Sequence, residues 1–226
     1  MPKKIKAVLF DLDGTLIETV SEIALATNDT LRDLGVALVS EDQVRNWIGH
    51  GTKELLVSAL AYARQVPVEQ IRALESLADI FKKFDSFYLA RCGLQSHLYP
   101  SVREVLLHLK CLDIKMALIT NKESQFTRAL LKAHQLEDFF DIVICGDTLN
   151  TRKPNPMGIQ LCLERFDIEP EESVFIGDSS VDAQTANNAN LSVWLMSYGY
   201  NMGEPLSKSH PDHIASNFKE LLSLVE

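Results

Sequence analysis

Asp11 and Asp13 stand one residue apart in Asp11-Leu12-Asp13-Gly14-Thr15, directly after the apolar run Ile5-Lys6-Ala7-Val8-Leu9-Phe10. That run reads as a buried strand, so two carboxylates hang off the end of an inner strand. Like charges at close range destabilise each other, and a strand end carrying two of them needs a cation or a reaction to justify it. The carboxyl ends of parallel strands are also where open α/β sheets place their ligands. Other polar residues follow strand-like runs in the same way. Thr120-Asn121 comes after Ile114 to Ile119, and Gly177-Asp178 comes after Ser173 to Ile176. Lys153 lies in Arg152-Lys153-Pro154-Asn155-Pro156, past the strand-like Ile142 to Cys145 and just before a helix-like segment. If these strands are parallel and adjacent, three carboxylates, a hydroxyl, an amide and an ammonium share one sheet edge.

That collection suits phosphoryl transfer. Mg²⁺ prefers oxygen ligands and usually takes one or two carboxylates together with water and a substrate phosphate; Asp11 and Asp178 can supply them. Such a cation screens an attacking carboxylate from an anionic phosphate. A lysine and hydrogen-bond donors hold the remaining phosphate oxygens, the roles expected of Lys153, Thr120 and Asn121. One free carboxylate attacks phosphorus and forms an aspartyl-phosphate. The other protonates the leaving alkoxide and then draws a proton from water.

Taken singly, each piece has a plainer reading. The paired aspartates after a strand equally form a turn or an incidental cation site. Thr120-Asn121 is by itself a helix N-cap, Lys153 a solvated loop cation, and Gly177-Asp178-Ser179 a strand-to-helix turn. Their joint occurrence at successive strand ends carries the chemical reading.

The elements that must position them alternate. Helical patterns over Val102 to Cys111, Ser124 to Ala133, Met157 to Phe166 and Val181 to Ala189 separate the strands, and Ser192 to Met196 is a further strand. Repeated strand–helix alternation implies an α/β fold with a doubly wound parallel sheet. The block from about 17 to 97 shows no strand signal. Thr19 to Leu34, Lys53 to Gln65 and Val68 to Arg91 read as helices, and Ser40-Glu41-Asp42-Gln43 reads as a helix start with its capping pair. The expected organisation is a catalytic core of residues 1–16 and 97–226, with an all-helical cap, 17–96, inserted after the first strand.

Composition narrows the class. At 226 residues, 46% hydrophobic and 23% charged, the chain has the makings of a packed core. A net charge of −9 argues against nucleic acid or an anionic membrane as partner. Cys92, Cys111, Cys145 and Cys162 form no zinc-like or CxxC spacing. They read as reduced, mostly buried thiols, which points to the cytoplasm. The basic start at Lys3, Lys4 and Lys6 leads into an apolar run that Asp11 and Asp13 cut too early for a signal peptide. No stretch approaches the apolar length of a membrane span. The expected partner is a small phosphorylated metabolite, and the expected state is a monomer or homodimer.

Asp11-Leu12-Asp13-Gly14-Thr15, Thr120, Lys153-Pro154 and Gly177-Asp178-Ser179-Ser180-Val181-Asp182 together resemble the four-motif signature of the haloacid dehalogenase superfamily. The resemblance implies Asp11 as nucleophile and Asp13 as general acid/base, with Thr120 and Lys153 on the phosphoryl group. It implies Mg²⁺ held by the Asp11 side chain, the Asp13 backbone carbonyl and Asp178. Asp182 would stand behind them, holding a metal-bound water or Lys153. An acid at Asp13 argues against dehalogenase and phosphonate-cleaving chemistry. The helical insertion resembles the cap of the subclass that acts on small metabolites, whose closure excludes water.

Within that subclass, Leu98-Tyr99-Pro100, Arg152-Lys153-Pro154 and the late Tyr198-Gly199-Tyr200-Asn201-Met202-Gly203-Glu204-Pro205 resemble the phosphoglycolate phosphatases; read plainly, the last stretch is a glycine-rich surface loop. Three positions depart from the branch. Glu18-Thr19 replaces the usual Asp-Ser, and Ile48-Gly49-His50-Gly51 replaces a Gly-Asn-Gly-like loop, which makes Glu18 and His50 candidate substrate contacts. Asn190 replaces a glycine and is expected to adopt the left-handed helix cap. The leading expectation is a Mg²⁺-dependent phosphatase of a small phosphomonoester, 2-phosphoglycolate. The alternatives are a phosphosugar mutase, a pyrophosphatase or nucleotide phosphatase, and a non-catalytic phosphometabolite-binding protein.

Overall fold

A computed structural model describes residues 4–225; residues 1–3, including Lys3 of the basic start, and residue 226 lie outside the described residues. The first strand, β1 (Ala7–Phe10), is fully buried because all four residues are apolar and both faces are covered. Val8 and Phe10 point to one side and Ala7 and Leu9 to the other, the period of two that a strand imposes. On the first side they meet α6 (Val102–Cys111) through Val105 and Leu109, α7 (Ser124–Ala133) through Leu130, and Phe218. On the second they meet α8 (Met157–Phe166) through Ile159 and Cys162, and α9 (Ser180–Asn188) through Ala183 and Ala186.

Five more strands complete the main sheet: β4 (Lys115–Ile119), β5 (Ile142–Ile144), β6 (Ser173–Gly177), β7 (Ser192–Met196) and β8 (His213–Ala215). The order is β5-β4-β1-β6-β7-β8, and every pairing is parallel. This is the doubly wound sheet that the alternation predicts. Phe10 stands opposite Leu118 on one side and Ile176 on the other. The register therefore delivers Asp11, Thr120 and Asp178 within one or two rungs of each other at the carboxyl edge. Strand β8 was not anticipated, since three residues are too few for periodicity to mark.

Between β1 and α6 the chain builds a helical cap: α1 (Val20–Asp33), α2 (Glu41–Arg45), α3 (Thr52–Arg64), α4 (Val68–Arg72) and α5 (Leu77–Leu89). Its own core gathers Ile23, Leu31, Val44, Leu56, Leu60 and Phe84. The capping box expected at Ser40 is present, with Gln43 N donating to Ser40 Oγ at 3.2 Å and Ser40 N to Gln43 Oε1 at 2.8 Å. Two expectations need correction here. The block is not free of strand: β2 (Ile17–Glu18) and β3 (His97–Leu98) pair antiparallel where the chain leaves and re-enters the main sheet. The helix expected over 68–91 is also broken, into α4 and α5. Ile71 and Ile80 are both buried in the cap core, yet on one continuous helix of about 3.6 residues per turn they would face opposite ways. The break lets both point inward.

Three backbone amides at the returning linker, Gly93 N, Gln95 N and Ser96 N, donate to the buried Glu22 carboxylate at 3.2, 2.7 and 2.8 Å. The cap thus grips both of its connections. Asn190 adopts φ 55°, the left-handed conformation expected of it. All four cysteines are free, but only Cys145 and Cys162 are buried; Cys111, in the last turn of α6, is exposed. No helix of the described residues is long and apolar enough to cross a membrane.

Candidate active site

Where β1, β4 and β6 end under the cap, a partly enclosed pocket opens. The core contributes Asp11, Asp13, Thr120, Lys122, Lys153 and Asp178 to its lining, and the cap contributes Ile23, Ile48, Gly49, Thr52 and Leu55. A concave site that joins an apolar cap wall to a few convergent polar groups suits a small substrate.

The acids differ in environment. Lys153 Nζ lies 2.7 Å from Asp11 Oδ1 and 2.7 Å from Asp182 Oδ1. Its approach to Asp11 falls outside hydrogen-bond geometry, so that buried oxygen has no hydrogen-bond partner. Burial raises Asp11 to about 6, against the opposing pull of Lys153, and the nearby Asp182 adds to the rise. Burial works against the Lys153 ammonium, but Asp11 and Asp182 together overcome it and hold Lys153 above its ordinary value.

Asp178 sits on the other side of Asp11. Thr15 Oγ1 donates to its Oδ1 at 2.9 Å, and Tyr200 N donates to its Oδ2. Burial first, then Asp182 and Asp11, push Asp178 well above the carboxylate range. Gly14 and Gly199 close around it: a Cβ on either would run into the Asp178 carboxylate. Asp182 is wholly buried. Its Oδ2 accepts from Asp178 N, Ser179 N and Ser179 Oγ at 3.1, 3.1 and 2.7 Å, and its Oδ1 takes the Lys153 ammonium. It therefore steadies both neighbours and has little left for a ligand.

Carboxylate oxygens of Asp11, Asp178 and Asp182 lie within 4.8 Å of one another. Three buried acids at that spacing repel each other, and one lysine does not offset them. The buried Asp11 oxygen, met only by the Lys153 ammonium, and the upward shifts of Asp11 and Asp178 are the marks of a group of donors that a divalent cation would relieve. An all-oxygen donor set fits Mg²⁺.

Asp13 is held differently. Thr19 Oγ1 donates to its Oδ1 at 2.6 Å, and Lys122 Nζ reaches both oxygens, at 2.9 and 2.8 Å. Lys122 did not stand out in the sequence reading. Its signal was position: it follows Thr120-Asn121 past the end of β4, two residues beyond the hydroxyl already singled out. Thr120 Oγ1 accepts from Lys122 N at 3.2 Å.

Asn121 takes a different place from the one expected. Its Nδ2 donates to Gly49 O and Lys153 O, and its Oδ1 accepts from Lys153 N, at 2.9, 3.1 and 2.9 Å. With both amide hydrogens engaged, the side chain fixes the Lys153 backbone and a cap loop and has no donor left for a phosphate. Glu18 and His50 do not line the cavity. Glu18 accepts from Tyr99 Oη and Tyr200 Oη at 2.9 and 2.6 Å, so it belongs to the hinge. His50 lines an outer recess with Glu54 and Arg152. The stretch from Tyr198 is no plain surface loop: Tyr198 Oη donates to Thr15 O at 2.9 Å, and the Tyr198 ring lies 4.1 Å from that of Tyr99.

A parallel sheet with a carboxylate-rich edge beneath a helical cap defines a class, and comparison with known proteins names it. The model of the haloacid dehalogenase-like hydrolases matches residues 8–196, and the chain belongs to that family. It is 38% identical over 222 residues to the phosphoglycolate phosphatase of Vibrio parahaemolyticus, covering 98% of this chain and 96% of that one. Its fold is similar to the crystal structure of a predicted phosphoglycolate phosphatase from Haemophilus somnus, with TM-score 0.92, 31% identity and 99% of both chains covered. CbbY from Rhodobacter sphaeroides, solved in complex with phosphate, is similar at TM-score 0.81 and 26% identity, over 98% of this chain and 99% of that one.

Proposed function

We propose that this protein hydrolyses a small phosphomonoester, 2-phosphoglycolate, through a phosphorylated Asp11. The observation that carries the reading is the unlike setting of two carboxylates in one cavity. Asp11 keeps an oxygen without a hydrogen-bond partner beside Lys153, whereas both oxygens of Asp13 are held by side-chain donors. Two acids separated by environment are the usual basis for dividing nucleophile from acid/base. The names of the similar proteins supply the substrate. A cytoplasmic location fits free cysteines, and the division into core (1–16 and 97–226) and cap (17–96) fits the paired linkers.

In this reading Asp11 attacks phosphorus, and the bond from phosphorus to the ester oxygen breaks. Asp13 gives its proton to that leaving oxygen. Asp13 then takes a proton from water, the water oxygen attacks phosphorus, and the bond to Asp11 breaks to release phosphate. Lys153 and Thr120 hold phosphoryl oxygens throughout, and Asn121 and Asp182 hold Lys153. Mg²⁺, kept by Asp11, Asp178 and the Asp13 backbone carbonyl, would supply charge neutralisation for the phosphoryl group. The cap wall of Ile23, Ile48 and Leu55 keeps bulk water from the phosphorylated aspartate.

The test is Mg²⁺-dependent phosphate release from 2-phosphoglycolate beside sugar phosphates, nucleotides and pyrophosphate. The expected advantage in kcat/KM is at least about 100-fold, or ~2.7 kcal/mol of transition-state discrimination. A flat profile keeps the hydrolase and removes the substrate. Transfer between hydroxyls of a hexose phosphate without release would make it a mutase.

A further inference from the structure

A second buried ammonium faces the cavity, and the steps above give it no part. Lys122 is 2% exposed, and its Nζ lies against both oxygens of Asp13 and 4.9 Å from the centre of the Tyr88 ring. Burying a lysine is costly, so a buried one normally answers to a buried anion. Asp13 is such an anion, but the pairing conflicts with its task. To carry a proton to the leaving oxygen, one Asp13 oxygen must be free to hold it. Thr19 and Lys122 both bond Oδ1, and Lys122 also takes Oδ2, so the ammonium lies against each oxygen that could carry the proton. A second anion that arrives with the substrate would give Lys122 another partner and release an Asp13 oxygen. An ammonium has three donors, so it can serve both.

We propose that Lys122 reads the leaving group, its ammonium receiving a carboxylate borne on the carbon next to the ester oxygen. The inference rests on the phosphoglycolate reading and assigns a specificity-determining residue within it. Placement supports it. Asp13 acts at the ester oxygen, so a group bonded to the Asp13 carboxylate is within reach of atoms one or two bonds beyond that oxygen. The rest of that wall offers no alternative: among the described residues, the cap gives the cavity Ile23, Ile48, Gly49, Gly51, Thr52 and Leu55, none of them charged. Lys153, the other cation of the lining, is paired with Asp11 and Asp182 and serves the phosphoryl group in the reading above, so it stands on the far side of the ester oxygen from the leaving group. Lys122 is thus the one charged partner for an anionic leaving group, and a neutral alcohol would leave it locked on Asp13.

The test compares 2-phosphoglycolate with ethyl phosphate, a similar ester without the carboxylate, in the wild type and in Lys122→Met. The ratio of kcat/KM between the two substrates is expected to fall by about 100-fold in the variant, as for a site that loses its partner for a charged substrate group. A ratio that changes less than about tenfold overturns the assignment. The unaltered enzyme gives a second readout that does not depend on the variant folding. Glycolate should inhibit ethyl phosphate hydrolysis at least about ten times more strongly than glycolamide, and equal inhibition overturns the proposal. A wild type that hydrolyses other phosphoesters but not 2-phosphoglycolate removes the functional reading itself, which is a different result from a wild type that prefers it and a variant with an unchanged ratio.

Discussion

Tyr200 donates its phenolic hydrogen to Glu18 Oε1 at 2.6 Å, which ties the loop that holds Asp178 to the strand by which the chain enters the cap. Tyr200 Oη in turn accepts from Thr19 N at 3.0 Å and Val20 N at 3.3 Å, at the start of α1. Two residues before Tyr200, Tyr198 holds Thr15, whose own hydroxyl holds Asp178. The cap hinge and the Asp178 carboxylate therefore share one strap. Tyr200→Phe removes the hydroxyl but leaves the Tyr200 N bond to Asp178. It strands the buried Thr19 amide, while Val20 N and Glu18 Oε1 keep each other as partners at 3.0 Å. Urea denaturation should show a loss of about 1–3 kcal/mol, with Mg²⁺ affinity little changed. A loss of Mg²⁺ affinity larger than the loss of stability would mean that the strap acts through Asp178 instead.

Asp11 makes the stability of the metal-free protein depend on pH in a known direction. Its folded-state value, about 6, lies above the ordinary 3.8 because the carboxylate is buried. Folding therefore favours the protonated form. That contribution is fully present below pH ~4 and is lost as the pH rises through about 6. Asp11→Asn carries no charge to bury. In EDTA it should be more stable than the wild type by about 1–3 kcal/mol at pH 7.5, and the gap should close towards pH 4. Added Mg²⁺ should narrow the gap at neutral pH by stabilising the wild type. The variant should show no turnover. Calorimetric melting at several pH values checks this, and a gap that is constant with pH would remove Asp11 as its source.

The strands that deliver the acids were legible because a buried parallel strand is a short apolar run with an abrupt polar end. Phe10-Asp11, Ile119-Thr120 and Gly177-Asp178 show that boundary. Which strands lie side by side followed from the alternation with helices, and the register then brought the three ends together. Contacts made across the cavity left no such trace. Lys122 meets Asp13 across 109 residues of chain, and no local pattern records that. Glu18 and His50 are expected as substrate contacts because they depart from the branch's pattern at the Asp-Ser pair and the Gly-Asn-Gly-like cap loop, but Glu18 turns toward two tyrosines and His50 toward an outer recess. The break between α4 and α5 was hidden because the residues around it are good helix formers; only the shared burial of Ile71 and Ile80 requires it.

Thr52 and Glu123 make a buried contact between cap and core. Thr52 Oγ1 donates to Glu123 Oε2 at 2.6 Å, while Glu123 Oε1 is buried with no hydrogen-bond partner. Thr52→Val removes that donor and leaves both oxygens bare. The expected cost is about 1–3 kcal/mol of stability, or a cap that opens more readily to let water in. Thermal melting and hydrogen exchange at the start of α3 (Thr52–Arg64) separate the two results. Neither change would mean that Glu123 finds water or another partner in solution.

Gly199 gives the sharpest test of how Asp178 is held. A Cβ there would collide with Cβ and Oδ2 of Asp178 and with the carbonyl oxygen of Gly14. Gly14 sits at φ +83°, so it has little room to yield without leaving the left-handed region that glycine favours. Gly199→Ala must therefore displace the Asp178 carboxylate from its position beside Asp11. Because metal sites lose affinity when the groups that orient a ligand move, Mg²⁺ binding should weaken by about 10–100-fold in titration calorimetry. Thermal stability in EDTA should fall much less, since displacing Asp178 also relieves its repulsion with Asp11 and Asp182. Unchanged Mg²⁺ affinity in a folded Gly199→Ala protein would show that Asp178 is not a ligand, and would shift the cation site toward Asp11 alone.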